Sequence, residues 1–140
     1  MSEQAIYGDT AYYGVELINR SGNGVLPVGE HDFAEAMDRC VLVDKTMFIA
    51  DVLDAGASVV ACCRPEGFGK SMNLSMLKAF LERPMSGRID RSLFAGTQIW
   101  EADSGRYRDE FACYPVISLD FSGAGRRGSV VAGVIRETLS

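Results

Sequence analysis

The sequence predicts an α/β fold with a largely parallel sheet flanked by helices. Two short apolar runs, residues 58–63 and 115–121, have the composition of strands buried on both faces. A strongly helical segment, residues 70–83, follows the first run, and a second helical pattern, 129–139, follows the other. Strand, helix, strand, helix with long connections is the layout of helices laid over a parallel sheet.

In chain order, residues 1–25 end in the turn formers Ser21-Gly22-Asn23-Gly24 after a partly alternating 12–18 segment, and read as a peripheral N-terminal segment. A single domain then occupies residues 26–140. Asp32 is placed to cap a short helix over 32–39, because its carboxylate can accept from the first unpaired N–H groups. Val41-Leu42-Val43 reads as a short strand. Residues 45–53 carry Met47, Phe48, Ile49, Val52 and Leu53 at helical spacing and stop at Gly56. Ser58-Val59-Val60-Ala61-Cys62-Cys63 is the first buried-strand candidate, and 64–69 is a loop rich in turn formers. The helix over 70–83 ends before Pro84 and offers Met72, Met76, Leu77, Phe80 and Leu81 as its buried face. Residues 84–112 look loop-rich, with Leu93–Phe94 and Ile99–Trp100 expected to pack on the sheet.

The chain is 140 residues long, 47% hydrophobic and 24% charged, which suits one folded domain and excludes a disordered chain. Its net charge of −5 argues against a general nucleic-acid binder. The first 63 residues hold three basic and ten acidic side chains, whereas 64–140 hold eleven and nine, so a basic half begins at Arg64. No apolar run approaches the ~20 residues of a membrane span, and the acidic start MSEQAIYGDT is unlike a signal peptide. A cytoplasmic location and no membrane partner are the expectations. Cys40, Cys62, Cys63 and Cys113 include no C-x-x-C pair and read as buried, reduced thiols.

Arg64-Pro65-Glu66-Gly67-Phe68-Gly69-Lys70-Ser71 carries the chemistry. It matches the end of the phosphate-loop pattern G-x-x-x-x-G-K-[ST], with Arg64 in place of the first glycine. The setting, between an apolar strand candidate and the best helix, is the one this motif requires. A helix opening after Gly69 offers unpaired N–H groups and its positive dipole end to an anion. Gly69 lets the backbone approach a phosphate and Gly67 adds conformational freedom, with Phe68 between them. Lys70 is a mobile point charge for the β- and γ-phosphates, and Ser71 offers a hydroxyl to Mg²⁺. Nucleotide-binding residues are thus Arg64, Gly67, Phe68, Gly69, Lys70 and Ser71, with ATP and Mg as the cofactors.

The chain resembles the bacterial AAA-ATPase-like family, P-loop proteins that often carry a C-terminal nuclease-like (PD-(D/E)XK) domain. The resemblance runs through Leu26-Pro27-Val28-Gly29 with Asp32-Phe33, Val43-Asp44-Lys45-Thr46, Arg64-Pro65 and Phe68-Gly69-Lys70-Ser71, Leu74-Ser75-Met76-Leu77-Lys78, and Tyr114-Pro115-Val116-Ile117 with Leu119-Asp120-Phe121-Ser122. It implies that residues 26–140 are the N-terminal part of a P-loop ATPase domain, a partial P-loop fold. In this family the loop typically reads R-P-R-R-F-G-K-S, so Arg64 follows the family while Glu66 and Gly67 depart from it. An acid beside a triphosphate weakens its binding.

A hydrolase also needs an acid that holds Mg²⁺ through water. From position alone Asp120, at the end of an apolar run, is the candidate. The resemblance implies instead that the acidic strand lies further downstream, so hydrolysis by this chain alone is not expected. Gly123-Ala124-Gly125-Arg126-Arg127-Gly128 fits the dinucleotide fingerprint G-x-G-x-x-G, but the ribose-binding acid ~20 residues on has no counterpart in the sequence. His31 reads as a solvated loop residue. Asp44-Lys45-Thr46 reads as a helix N-terminus with a polar cap, whereas the family resemblance implies a recurrent block near the nucleotide. The alternative to nucleotide binding is a noncatalytic fragment or interaction module with an exposed sheet edge.

Overall fold

The computed structural model describes residues 16–22, 24–85 and 90–120. The helical pattern at 129–139 and the glycine pattern Gly123, Gly125, Gly128 lie outside the described residues. Strand β1 (Leu17–Asn19) pairs antiparallel with β2 (Val41–Val43), in the register Leu17 to Val43, Ile18 to Leu42 and Asn19 to Val41. Between the strands comes α1 (Phe33–Arg39); α2 (Met47–Asp54), α3 (Lys70–Leu81) and the single turn α4 (Gln98–Glu101) follow. A 3-10 stretch, Ala102–Glu110, runs on from α4 and is kinked at Asp103, Ser104 and Gly105, all at positive φ.

The helices form where local signals place them. Asp32 accepts from the Glu35 amide at 3.0 Å and caps α1 as its position predicts. Helix α2 stops at Asp54, two residues before Gly56, whose φ of +57° suits a residue without Cβ. Helix α3 begins at Lys70 as expected but ends at Leu81, two residues short of the predicted Arg83. The amides of Ala112 and Tyr114 donate to the carbonyls of Phe80 and Leu81, at 2.9 Å each, and so satisfy acceptors that the helix end leaves open. Glu82 turns extended and forms an isolated parallel bridge with Tyr114, and Arg83 stands before Pro84, where helical geometry is disfavoured.

The predicted sheet is the main departure. Mixed helix and strand support a general α/β class, but the only ladder among the described residues is the two-stranded antiparallel pair. Residues 58–63 and 115–120 are not in strands. Val59 is 83% exposed and Ile117 75%. An apolar run signals a tendency to be buried; a strand also needs a neighbour for its N–H and C=O groups, and composition does not supply one.

The core is helical and aromatic instead. Met76 and Phe80 of α3 are buried, while Met72, Leu77 and Leu81 are partly buried against them. The Phe80 ring meets Phe94 at 5.1 Å and Phe111 at 5.2 Å in edge-on contacts, and Phe33 stacks on Phe94 at 5.4 Å. Phe94 and Ile99, expected to pack on a sheet, are fully buried against the helices. The loop-rich 84–112 region thus contributes much of the core. The thiol expectation holds for Cys40, which is buried; Cys62, Cys63 and Cys113 are exposed, and all four are unpaired thiols. The two on 62–63 are exposed because the segment that carries them is.

Arg20, just after β1, fastens the strand pair to this core. Its guanidinium donates to the carbonyls of Ser92 (3.0 Å), Leu93 (3.0 Å) and Ala95 (2.8 Å), at the turn that carries Phe94.

Candidate functional site

Helix α3 and the loop before it form one element. Gly67 and Gly69 both hold left-handed φ, +80° and +73°, so the backbone curls twice within three residues. A Cβ built at either glycine meets nothing within 4 Å, so it is conformation, not crowding, that favours glycine here. The Asn73 amide bonds the Gly69 carbonyl at 2.9 Å, and Gly69 brings no side chain to cap the amides ahead of that bond.

Lys70 folds back across the loop. Its Nζ donates to the carbonyl of Arg64 at 2.6 Å and of Pro65 at 2.9 Å, tying the first residues of the loop to the first residue of the helix. An ammonium has three N–H donors, and these carbonyls take two. The curled backbone, the helix N-terminus and this charge together make an exposed, cationic feature suited to an anion. Arg64 and Phe68 are exposed, with Phe68 at 59%, and Ser71 is exposed on the first turn of α3. These residues fit a phosphate: two backbone positions with open space beside them, one lysine with a donor to spare, and a hydroxyl at the helix start. Among the described residues, no three His, Cys, Asp or Glu side chains are grouped to hold a metal by themselves. Magnesium held by Ser71, phosphate oxygens and water needs no such group.

Ser75, one turn into α3, orients this helix. Its Oγ accepts from the Phe33 amide at 3.0 Å and donates to the Asp32 carboxylate at 3.5 Å, so the start of α1 is pinned to the helix that opens at the loop. No periodicity or motif in the sequence links positions 32 and 75.

The Asp44-Lys45-Thr46 block is a structural joint. Asp44 is buried and accepts from the Thr46 amide (2.8 Å) and hydroxyl (2.6 Å) on one oxygen, and from the Gln98 amide (2.9 Å) on the other. Thr46 Oγ1 in turn accepts from the Ile99 amide at 3.1 Å. One carboxylate thereby serves the starts of α2 and α4. Asp120 and His31 are exposed, His31 in the loop before α1 and Asp120 at the end of the 115–120 segment.

Two titrating groups away from the loop are perturbed. Tyr107 is pushed up to about 12, first by the hydrogen bond its hydroxyl donates to Asp54 at 2.5 Å and then by burial. Asp51 is raised by burial and by the neighbouring Asp54 carboxylate.

A loop of this geometry, opening a helix, is suited to an anion. The family is more specific: the chain belongs to the AAA-ATPase-like family, whose model, described as "Predicted AAA-ATPase", matches residues 27–137. No curated protein and no solved structure matches the chain. No helix among the described residues is long and apolar enough to cross a membrane.

Proposed function

We propose that this chain binds a nucleoside triphosphate, ATP with Mg²⁺, through a variant Walker A loop at 64–71. The observation that carries the reading is the Lys70 ammonium bridging the carbonyls of Arg64 and Pro65 at the mouth of a loop with two left-handed glycines. Membership of the AAA-ATPase-like family supports the same reading. In it, the amides of Gly67, Phe68, Gly69 and Lys70 cradle phosphate oxygens, and Lys70 places its remaining donor on the β- and γ-phosphates. Arg64 lines the entrance. Ser71 holds the magnesium ion, which when bound neutralises phosphate charge and orients the triphosphate. The proposal covers binding; the residues described do not assemble a hydrolytic site.

Isothermal titration with Mg²⁺-ATP tests the reading. Wild type is expected to bind, and Lys70→Ala to lose at least tenfold in affinity, since it removes the one charged donor that closes the loop. Equal binding by the two proteins, or none by either, overturns the proposal.

A further inference from the structure

Glu66 puts an acid at the crown of a cationic loop. It is exposed, shares a turn with Gly67, and has no hydrogen-bond or ion-pair partner among the described residues. The carbonyl that holds Lys70 Nζ at 2.9 Å belongs to Pro65, one peptide unit away. Peptide geometry therefore keeps the Glu66 Cα within roughly 6 Å of the ammonium, and the carboxylate within roughly 10 Å in any rotamer. That is about one Debye length at physiological salt, close enough for the carboxylate to act on whatever the lysine binds.

We propose that Glu66 is a selectivity residue that biases the loop toward the metal-chelated triphosphate and against the metal-free polyanion. The inference rests on the nucleotide-binding reading above. Its physical basis is that both Lys70 attraction and Glu66 repulsion scale with ligand charge. A chelated divalent cation removes about two of the ~4 negative charges on the triphosphate. With the lysine alone, the more highly charged metal-free ligand is electrostatically preferred. A carboxylate nearby offsets that preference, so the chelate is disfavoured less than the bare polyanion. At about 8 Å in a water-like dielectric, the two-charge difference corresponds to roughly a fivefold change in the ratio of affinities at low ionic strength, and to about twofold at physiological salt.

Titration of ATP in excess Mg²⁺, and separately in EDTA at matched ionic strength, into wild type, Glu66→Gln and Lys70→Ala provides the test. Circular dichroism checks that the exposed substitution leaves the fold intact. The Mg²⁺-to-EDTA affinity ratio is expected to fall about fivefold in Glu66→Gln at low ionic strength, about twofold at physiological salt, with the difference vanishing as salt approaches 1 M. Should Glu66→Gln leave that ratio unchanged while Lys70→Ala abolishes binding, the selectivity role is overturned and the nucleotide site stands. Wild type and Lys70→Ala binding alike, or no protein binding either ligand, overturns both.

Discussion

The helical body and the two apolar segments at 58–63 and 115–120, which join no sheet, draw on overlapping apolar residue types and end in opposite environments. Phe80 is fully buried, touching two other aromatic rings, while Val59 and Ile117 are more than two thirds exposed. The difference lies in how each element satisfies its backbone. A helix pairs its own N–H and C=O groups and needs only a surface to lie against. An extended segment needs a ladder partner first, and only then can its side chains be enclosed. Hydrophobicity alone therefore says more about α3 than about 58–63.

The sharpest test of this contrast is Phe80→Ala, which removes a ring from the centre of the aromatic cluster. It should cost about 3–5 kcal/mol in urea unfolding. Next is Asp44→Ala, which leaves the Thr46 and Gln98 amides without their acceptor. A loss of about 2–4 kcal/mol is expected, with Asp44→Asn losing less because one oxygen remains. A destabilisation by either near zero would show that the helical body is not where the stability resides.

Tyr107→Phe is smaller, about 1 kcal/mol for one hydrogen bond to a charged acceptor in a partly exposed setting. It carries a pH signature. The folded tyrosine keeps its proton to about pH 12, whereas the unfolded one releases it near pH 10, at the ordinary tyrosine value. Its contribution is whole below about pH 10 and is lost as pH rises through about 12. Wild-type urea midpoints should fall more steeply than those of Tyr107→Phe between pH 10 and 11.5; parallel decline would place the effect elsewhere. The smallest change expected is in Ile117→Ser, within about 0.5 kcal/mol, because its side chain is already in solvent. A loss of several kcal/mol there would erase the distinction between the two regions.

What could be read in advance follows the same division. Asp32 as a cap, Gly56 as a stop and Lys70 as a helix start are signals that act within one turn of chain, and each stands where the sequence puts it. The loop was legible by position, since Gly67, Gly69 and Lys70 fall in a known pattern. The return of Lys70 to the carbonyls of Arg64 and Pro65 is a matter of side-chain torsion and was not legible. Nor was Phe111 as core, because it sits in a stretch with no periodicity; Phe94 was expected to pack, but on a sheet rather than against Phe33, Phe80 and Phe111. Asp44 was ambiguous, for a carboxylate before a helix suits a ligand as well as a cap. Its contact with Gln98, 54 residues on, shows the structural role.

Arg20 bears on where this domain can be cut. It binds carbonyls 72 to 75 positions away, and it lies outside the stretch, 27–137, over which the family model matches. A piece trimmed to that stretch would lose β1, leave one edge of Val41–Val43 without its ladder and strip the guanidinium from the turn that seats Phe94. For this chain, the boundary that similarity suggests and the boundary that folding requires differ by at least ten residues, since the Glu16 carbonyl already accepts from the Asp44 amide at 2.7 Å.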